Sequence, residues 1–474
     1  MSEASLGTIV RLLADRGLAA EKAAARRLQR SDDPRAAVEA VVGALPEGTI
    51  TLTAADVERA LDGPTPRGGE PAADRRLVVR RDMTGRSTGT GRYEDFLALF
   101  RDRYDRLREL LTDRVSPRSA ASLSESTRRH GVGVIGMVTD IRSTSGGHWL
   151  LELEDRTGAC RALVHADDPL HEAVRSLVPD EVVGVEGSLS DDGGLVFVDK
   201  LYQPDIPRSN RATTADRAVE AALVSDLHVG SDAFAAEAWS RFADWLAGPE
   251  AQRVEYLVVA GDLVEGVGVY PGQSEELDIV DIYEQYEAFA ERLKDVPGDL
   301  EVVLIPGNHD AVRLAEPQPG FHDELRDIVS VNDATVLSNP SVVELEGVSV
   351  LLYHGTSLDD LLAAVPTDVA DYSTPQLAMR ELLKKRHLAP EFGSRTRIAP
   401  EERDHLVIDE VPDVFHAGHT HTFGAGTYRD VRVVDTGCWQ YQTPFQRRVN
   451  IEPDVGVAVI LALDSLEMTA RRFA

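Results

Sequence analysis

Five short polar motifs follow one another along the second half of the chain, and each one puts Asp, His or Asn at the end of an apolar run. They are Ser225-Asp226-Leu227-His228, Gly261-Asp262, Gly307-Asn308-His309-Asp310, His354-Gly355 and Gly418-His419-Thr420-His421. The clearest runs before them are residues 221–224, 256–259, 302–305 and 348–353, with helical stretches between. Short apolar runs bounded by turns read as buried strands. Strands alternating with helices read as layered α/β packing, in which loops released at strand ends carry the chemistry. From about residue 217 to the end, the chain therefore reads as one enzyme-like domain.

The residue types in these motifs point to a pair of metal ions. Hydrolysing a phosphodiester at neutral pH needs a hydroxide nucleophile and compensation of charge on the phosphoryl oxygens. Two divalent ions about 3.5–4 Å apart supply both. Mixed oxygen and imidazole donors suit Mn, Fe or Zn and differ from an all-oxygen Ca or Mg cage. Asp262 is the natural bridging carboxylate. On an extended segment the side chains of Asp226 and His228 point the same way, and so do those of His419 and His421. Each motif alone is weak, since a lone Asp-x-His is more often structural. Five in this order are specific for a metal centre.

The remainder of the chain reads as smaller modules. Residues 1–62 form a small helical docking domain: Ile9, Leu12, Leu13 and Leu18 recur at helical spacing, as do Val38, Val41 and Val42, and Thr53 is a candidate N-cap for a helix carrying Val57 and Leu61. Residues 63–91 are rich in Gly, Pro, Arg and Thr and read as a flexible linker. Within 92–129, Tyr93, Phe96, Phe100, Tyr104, Leu107 and Leu111 predict one connecting amphipathic helix with an aromatic packing face. Over 130–207 the period falls to two. Val132, Val134 and Val138 alternate, then Trp149, Leu151 and Leu153, then Leu195 and Phe197, with Gly-rich turns between. That pattern predicts a small barrel such as an OB-fold. Such barrels often bind single strands, but with no run of exposed aromatics this one reads as an interaction platform.

Charge and cysteine content bound the setting. Asp plus Glu number 80 against 50 Lys plus Arg, a net charge of -30. Lysine occurs only at Lys22, Lys200, Lys294, Lys384 and Lys385. An acidic surface almost without lysine reads as that of a salt-in halophile. In molar salt the Debye length is about 3 Å, so the acidity does not exclude DNA as a substrate. Cys160 and Cys438 fall in different modules, which argues against a disulfide framework or a cysteine zinc site and for a reducing cytoplasm. No run of about 18 apolar residues predicts a membrane span.

The motifs match the calcineurin-like metallophosphoesterases, and their surroundings narrow the resemblance. Residues 224–231, the segment 266–273 with its Tyr270-Pro271-Gly272-Gln273, Arg386-His387-Leu388-Ala389-Pro390, residues 413–421 and Thr436-Gly437-Cys438-Trp439-Gln440 resemble the small subunits of archaeal family-D DNA polymerases. The resemblance covers about 130–474 and implies an α+β multi-domain chain. A helical N-terminal domain and an OB barrel would precede a phosphoesterase β-sandwich flanked by helices, residues 217–474. It implies a large catalytic polymerase subunit as partner in a heterodimer, a 3′→5′ exonuclease acting on DNA 3′ ends, and a place at the nucleoid. Asp226, His228 and His421 would hold one metal, Asn308, His354 and His419 the other, and Asp262 would bridge. Mn²⁺ is the first candidate, with Fe or Zn as alternatives. His309, oriented by Asp310, would protonate the leaving 3′-oxygen. His416 reads as a strand residue or a support to the ligands. His387 either lines the DNA path or folds its own loop. Two other readings stand beside this one: a subunit that acts only as a scaffold, as in eukaryotic relatives that have lost the ligands, and another phosphoesterase such as a repair nuclease or a phosphatase.

Overall fold

A computed structural model of the chain describes residues 6–14, 16, 18–20, 22–29, 31, 34–44, 51–52, 57, 75–123, 130–448 and 450–474. The chain divides into two compact units. In the smaller one, the helices Leu6–Ala14, Lys22–Gln29 and Pro34–Ala44 enclose a core of Ile9, Leu13, Leu28, Val38 and Val41. Leu12 and Val42, expected to belong to it, are only partly buried. Two short strands, Ala19–Ala20 and Thr51–Leu52, pair in parallel beside the helices. Val57 is buried, but the rest of the helix expected from Thr53 to Leu61 lies outside the described residues.

In the larger unit two six-stranded sheets face each other. The first is ordered Thr335–Val336, Glu301–Ile305, Val254–Ala260, Glu220–Val224, Val457–Ala462 and Glu467–Arg472. Its first four strands are parallel. The second is ordered Phe423–Tyr428, Val431–Thr436, Val414–Ala417, Val348–Leu352, Ser341–Leu345 and Leu77–Arg81. Leu223, Val258 and Val303 of one sheet pack against Val343, Val350, Val414 and Val434 of the other. The outer face of the second sheet is covered by the helices Leu358–Ala364 and Pro375–Lys385, through Leu361, Met379 and Leu382. Strands buried on both faces explain why their sequences are near-continuous apolar runs.

The barrel closes in the order Val132–Ser143, Trp149–Asp155, Gly158–Val164, Leu195–Tyr202 and Val182–Leu189. Val132, Val134, Val138, Leu151 and Leu153 point inward as their alternation predicts. In the fourth strand the expected face is reversed, because Val196 and Val198 are in the core whereas Leu195 and Phe197 are not. All four residues are apolar, so alternation cannot choose between the faces, and the register of pairing does. Phe197 instead stacks on His165 outside the barrel, with ring centroids 5.9 Å apart.

The linker expected over 63–91 is built into the fold from residue 75 on. Leu77–Arg81 is an edge strand antiparallel to Ser341–Leu345. Beyond it, Ser87 Oγ and the amides of Thr88 and Gly89 donate to the carboxylate of Glu401, which also pairs with Arg313 at 2.7 Å. A distant carboxylate thus orders a polar stretch that has no periodicity of its own.

The connecting helix is shorter than 92–129 and runs Tyr93–Glu109. Asp95 caps it, accepting from the amides of Thr90 and Arg92. Its stripe packs as predicted in part: Tyr104, Leu107 and Leu111 are buried, Phe96 and Phe100 meet Phe392 edge-on, and Tyr93 is exposed. The same face carries a fully buried arginine. Arg103 donates through Nε to Asp404 at 2.7 Å and through Nη1 to the Pro390 carbonyl at 2.7 Å. Asp404 also accepts from Nε2 of His387 at 3.0 Å, and Nδ1 of His387 accepts from the Ala389 amide at 3.1 Å. His387 therefore folds its own loop against the helix.

Candidate metal centre

The parallel strands of both sheets end at one edge, and the motifs are released there. Asp226 and His228 follow Glu220–Val224, Asp262 follows Val254–Ala260, and Asn308 follows Glu301–Ile305. His354 follows Val348–Leu352, and His419 and His421 follow Val414–Ala417. The expectation of an extended Asp-x-His does not hold. Asp226, His228, Asp262, His419 and His421 have φ of 54°, 54°, 50°, 74° and 59°, in the left-handed region. Non-glycine residues there cost of the order of 1–3 kcal/mol each and persist where the surroundings hold them. Here the Asp226 amide donates to the Gly261 carbonyl at 3.0 Å, the His228 amide to Asp262 O at 3.1 Å, and the His419 amide to Asp226 Oδ2 at 2.9 Å. Two motif glycines are required by the same crowding: a Cβ on Gly418 would run into Asp226 Oδ2, and one on Gly307 into Asp262 Oδ1.

The side chains converge as two groups. Ligand atoms of Asp226, His228 and His421 lie within 4.8 Å of one another, as do those of Asp226, Asp262 and His354. Asp262 Oδ2 faces both sides, 3.6 Å from Nε2 of His228 and 3.3 Å from Nε2 of His354. Nε2 of His354 is 2.9 Å from Asn308 Oδ1. Nε2 of His228 and of His421 stand 3.0 Å apart. His419 packs its ring beside His354, with centroids 5.2 Å apart, but its Nε2 lies 3.4 Å from Asp359.

Support from outside the motifs fixes which ring nitrogen faces the centre. His228 Nδ1–H donates to Glu265 Oε2 at 2.9 Å, and His354 Nδ1–H donates to the Ala260 carbonyl at 2.9 Å. Both Nε2 lone pairs are thereby turned inward, as in histidines that bind metal. Glu265 is buried and fully engaged: Gln440 donates to Oε2 at 2.7 Å, and Gln273 and Tyr270 donate to Oε1 at 3.2 Å. This explains the 266–273 segment, whose Tyr270 and Gln273 brace the carboxylate that braces His228.

Electrostatics agree with a cation site. Burial would raise Asp226, but its hydrogen bonds with His228 and His421 hold it well below the usual carboxylate range. Asp262 is likewise held low against burial, beside His354 and His309. Burial would lower His354, yet Asp262 lifts it to about 10. The carboxylates thus set up a field that favours positive charge, and oxygen and imidazole donors converge within it. These residues could hold metal ions, and mixed oxygen and imidazole donors are of the type that Mn, Fe or Zn accept.

Asp310 departs from expectation. Its carboxylate accepts from the amides of Gly307 at 2.8 Å and Leu263 at 3.2 Å and from Tyr286 Oη at 2.9 Å. It ties the turn back on itself and does not orient His309. That ring is held by the Glu265 carbonyl, which accepts Nδ1–H at 2.7 Å. His416 sits inside its strand, with Nε2 3.4 Å from Thr436 Oγ1. Glu265 and Asp359 were missed from sequence. Glu265 alone left a trace, as a charge inside the apolar stretch after Asp262.

Known proteins agree with this architecture. The family of B subunits of DNA polymerases alpha and epsilon matches residues 221–425, and an OB-fold nucleic acid binding domain family matches residues 132–201. The DNA polymerase II small subunit of Halobacterium salinarum is 53% identical, covering 98% of each chain. That of Archaeoglobus fulgidus is 41% identical over 80% of this chain and 77% of its own. That of Methanothermobacter thermautotrophicus is 42% identical over 80% of each. With a relative 53% identical over 98% of each chain and others above 40% over about 80%, the chain belongs to the family of archaeal DNA polymerase II small subunits, those of family D.

Proposed function

We propose that this chain is a 3′→5′ exonuclease that removes mismatched or unpaired 3′ nucleotides, working as the small partner of a large catalytic polymerase subunit. The observation that carries the reading is Asp262 Oδ2 facing Nε2 of both His228 and His354, with His309 next to them. Asp226, His228 and His421 would hold one ion, Asn308, His354 and His419 the other, with Asp262 between. When bound, two such ions supply a nucleophile of lowered pKa and neutralise charge on the phosphoryl oxygens. The chain's own groups do the rest. Attack forms a bond from water oxygen to phosphorus and breaks the bond to the 3′-oxygen, which needs a proton. In its imidazolium form His309 would give it: Nδ1–H is held by the Glu265 carbonyl, which leaves Nε2–H for the leaving oxygen, and the ring lines the cavity above the centre. Glu265 and the Ala260 carbonyl keep two ligand rings aligned throughout.

The test is editing in the assembled pair. The chain is co-expressed with its large partner and given a 3′-mismatched primer in Mn²⁺. Wild type removes the mismatch, whereas Asp262→Ala loses more than about 10⁴-fold and His309→Ala about 10²–10⁴-fold of that rate. Mismatch removal that persists in both variants would place the nuclease elsewhere. Cleavage of a phosphoprotein but not of DNA would favour a phosphatase.

A further inference from the structure

The cavity over the candidate metal centre is lined by His228, Asp262, His309 and His421 and also by Tyr270, Arg395 and Phe445. Its volume is about 390 Å³, at the small end of ligand pockets and suited to one nucleotide rather than a base pair. Phe445 is 51% exposed. A single exposed aromatic is ordinary, but this one is held on two sides. Tyr270 stacks behind it, with centroids 6.0 Å apart and ring planes 26° apart. Tyr270 is fixed in turn by its hydroxyl, which donates to Glu265 at 3.2 Å and Glu276 at 3.0 Å, and its ring lies 6.4 Å from His309. On the other side, Phe445 belongs to the short helix Pro444–Arg448, anchored by its neighbour Gln446. Gln446 Nε2 lies 2.7 Å from His421 Nδ1, its Oε1 accepts from the Thr443 amide at 3.0 Å, and its carbonyl accepts from the Ile451 amide at 3.0 Å. The exposed ring is therefore registered to the metal ligands. Arg395, which also lines the cavity, is exposed, and its backbone amide is pinned by Asp360 Oδ1 at 2.9 Å.

We propose that Phe445 is the platform on which the base of an unpaired 3′-terminal nucleotide stacks, with Arg395 toward the phosphate. The proposal rests on the nuclease reading for its substrate and adds what selects that substrate. A paired base is already stacked and cannot lie on Phe445 without leaving its helix, so the platform favours frayed or mismatched ends. Base stacking on an aromatic side chain is sequence-tolerant and changes affinity by about 5- to 150-fold. It also survives molar salt, which screens phosphate contacts.

The experiment uses the full chain and a single-stranded oligonucleotide ending in 2-aminopurine, a base whose fluorescence falls on stacking, together with the same strand ending in an abasic sugar. Wild type should quench the terminal base and bind it about 5- to 150-fold more tightly than the abasic end. In Phe445→Leu the quenching should vanish and the ratio approach one, and Phe445→Trp should restore both. Equal brightness of free and bound 2-aminopurine with wild type, or an unchanged ratio in Phe445→Leu, would overturn the platform. Cleavage is read separately in Mn²⁺ with the large partner present. Quenching without cleavage would leave the platform standing and remove the nuclease reading, and cleavage without quenching would do the reverse.

Discussion

Two buried clusters of histidine and carboxylate in this molecule look alike by composition and differ in what they leave open. At the helix anchor, His387 and Asp404 have every polar atom taken: Asp404 accepts from Arg103, His387 and the Leu406 amide, and both nitrogens of His387 are used. Neither residue has left-handed backbone. At the metal centre, the supports end at Nδ1, and the Nε2 atoms of His228, His354 and His421 face carboxylate oxygens or one another. Five of the candidate ligand positions there hold a strained backbone. Burial and a carboxylate partner therefore do not mark a functional histidine. What sets the candidate centre apart is that its Nε2 atoms converge, among residues most of which hold a constrained backbone.

Removing one carboxylate from each cluster separates them. Asp404→Ala leaves Arg103 as a buried uncompensated charge and should cost about 3–5 kcal/mol of unfolding free energy in a denaturant titration. Wild-type stability in that variant would break the comparison. Asp262→Ala should instead leave stability near wild type and abolish hydrolysis.

A pH titration of stability gives the next effect. Burial, with Arg103 beside it, pushes His387 down to about 4. The unfolded chain binds a proton near the ordinary value of about 6.5, and the folded one does not until about 4. Within that window the unfolded state binds more protons, so stability falls as pH drops. The contribution is whole above about 6.5 and reaches a loss of about 3 kcal/mol by about pH 4. His387→Gln, which carries no proton, should lack this part of the slope. Parallel curves for the two proteins would mean that His387 is not buried as a neutral ring.

The smallest effect concerns the braces. Glu265→Gln weakens the support of His228 without removing a ligand, and should lower Mn²⁺ affinity about 10–100-fold in a calorimetric titration. An unchanged affinity would reduce Glu265 to a packing residue.

The contrast also shows what could be read from the sequence. The candidate ligands could be picked out because each stands where an apolar run stops, and in two motifs beside a glycine, Gly307 or Gly418, that crowding demands. The barrel was legible from alternation and the layering of strands and helices from apolar runs, whereas the two-sheet sandwich followed from the resemblance. Glu265, Asp359 and Glu401 were not, because their meaning comes from residues far along the chain, 37 positions away for Glu265 and His228. The edge strand Leu77–Arg81 was hidden for the same reason, since its partner strand lies beyond residue 340. Asp310 was misread because the family pattern names its neighbour, while the local turn takes its carboxylate back to Gly307. Arg103 carried no sign, since a charge on an otherwise apolar helix face reads as an exception until its partner is seen.

The most direct test of the account is metal stoichiometry in the intact chain. Wild type, Asp262→Asn and His387→Gln are equilibrated with Mn²⁺, freed of excess, and measured for bound metal by mass spectrometry. Two ions per chain in wild type and in His387→Gln, and fewer in Asp262→Asn, is the predicted result. No bound ion in wild type, or two retained in Asp262→Asn, would contradict a bimetallic centre bridged by that carboxylate.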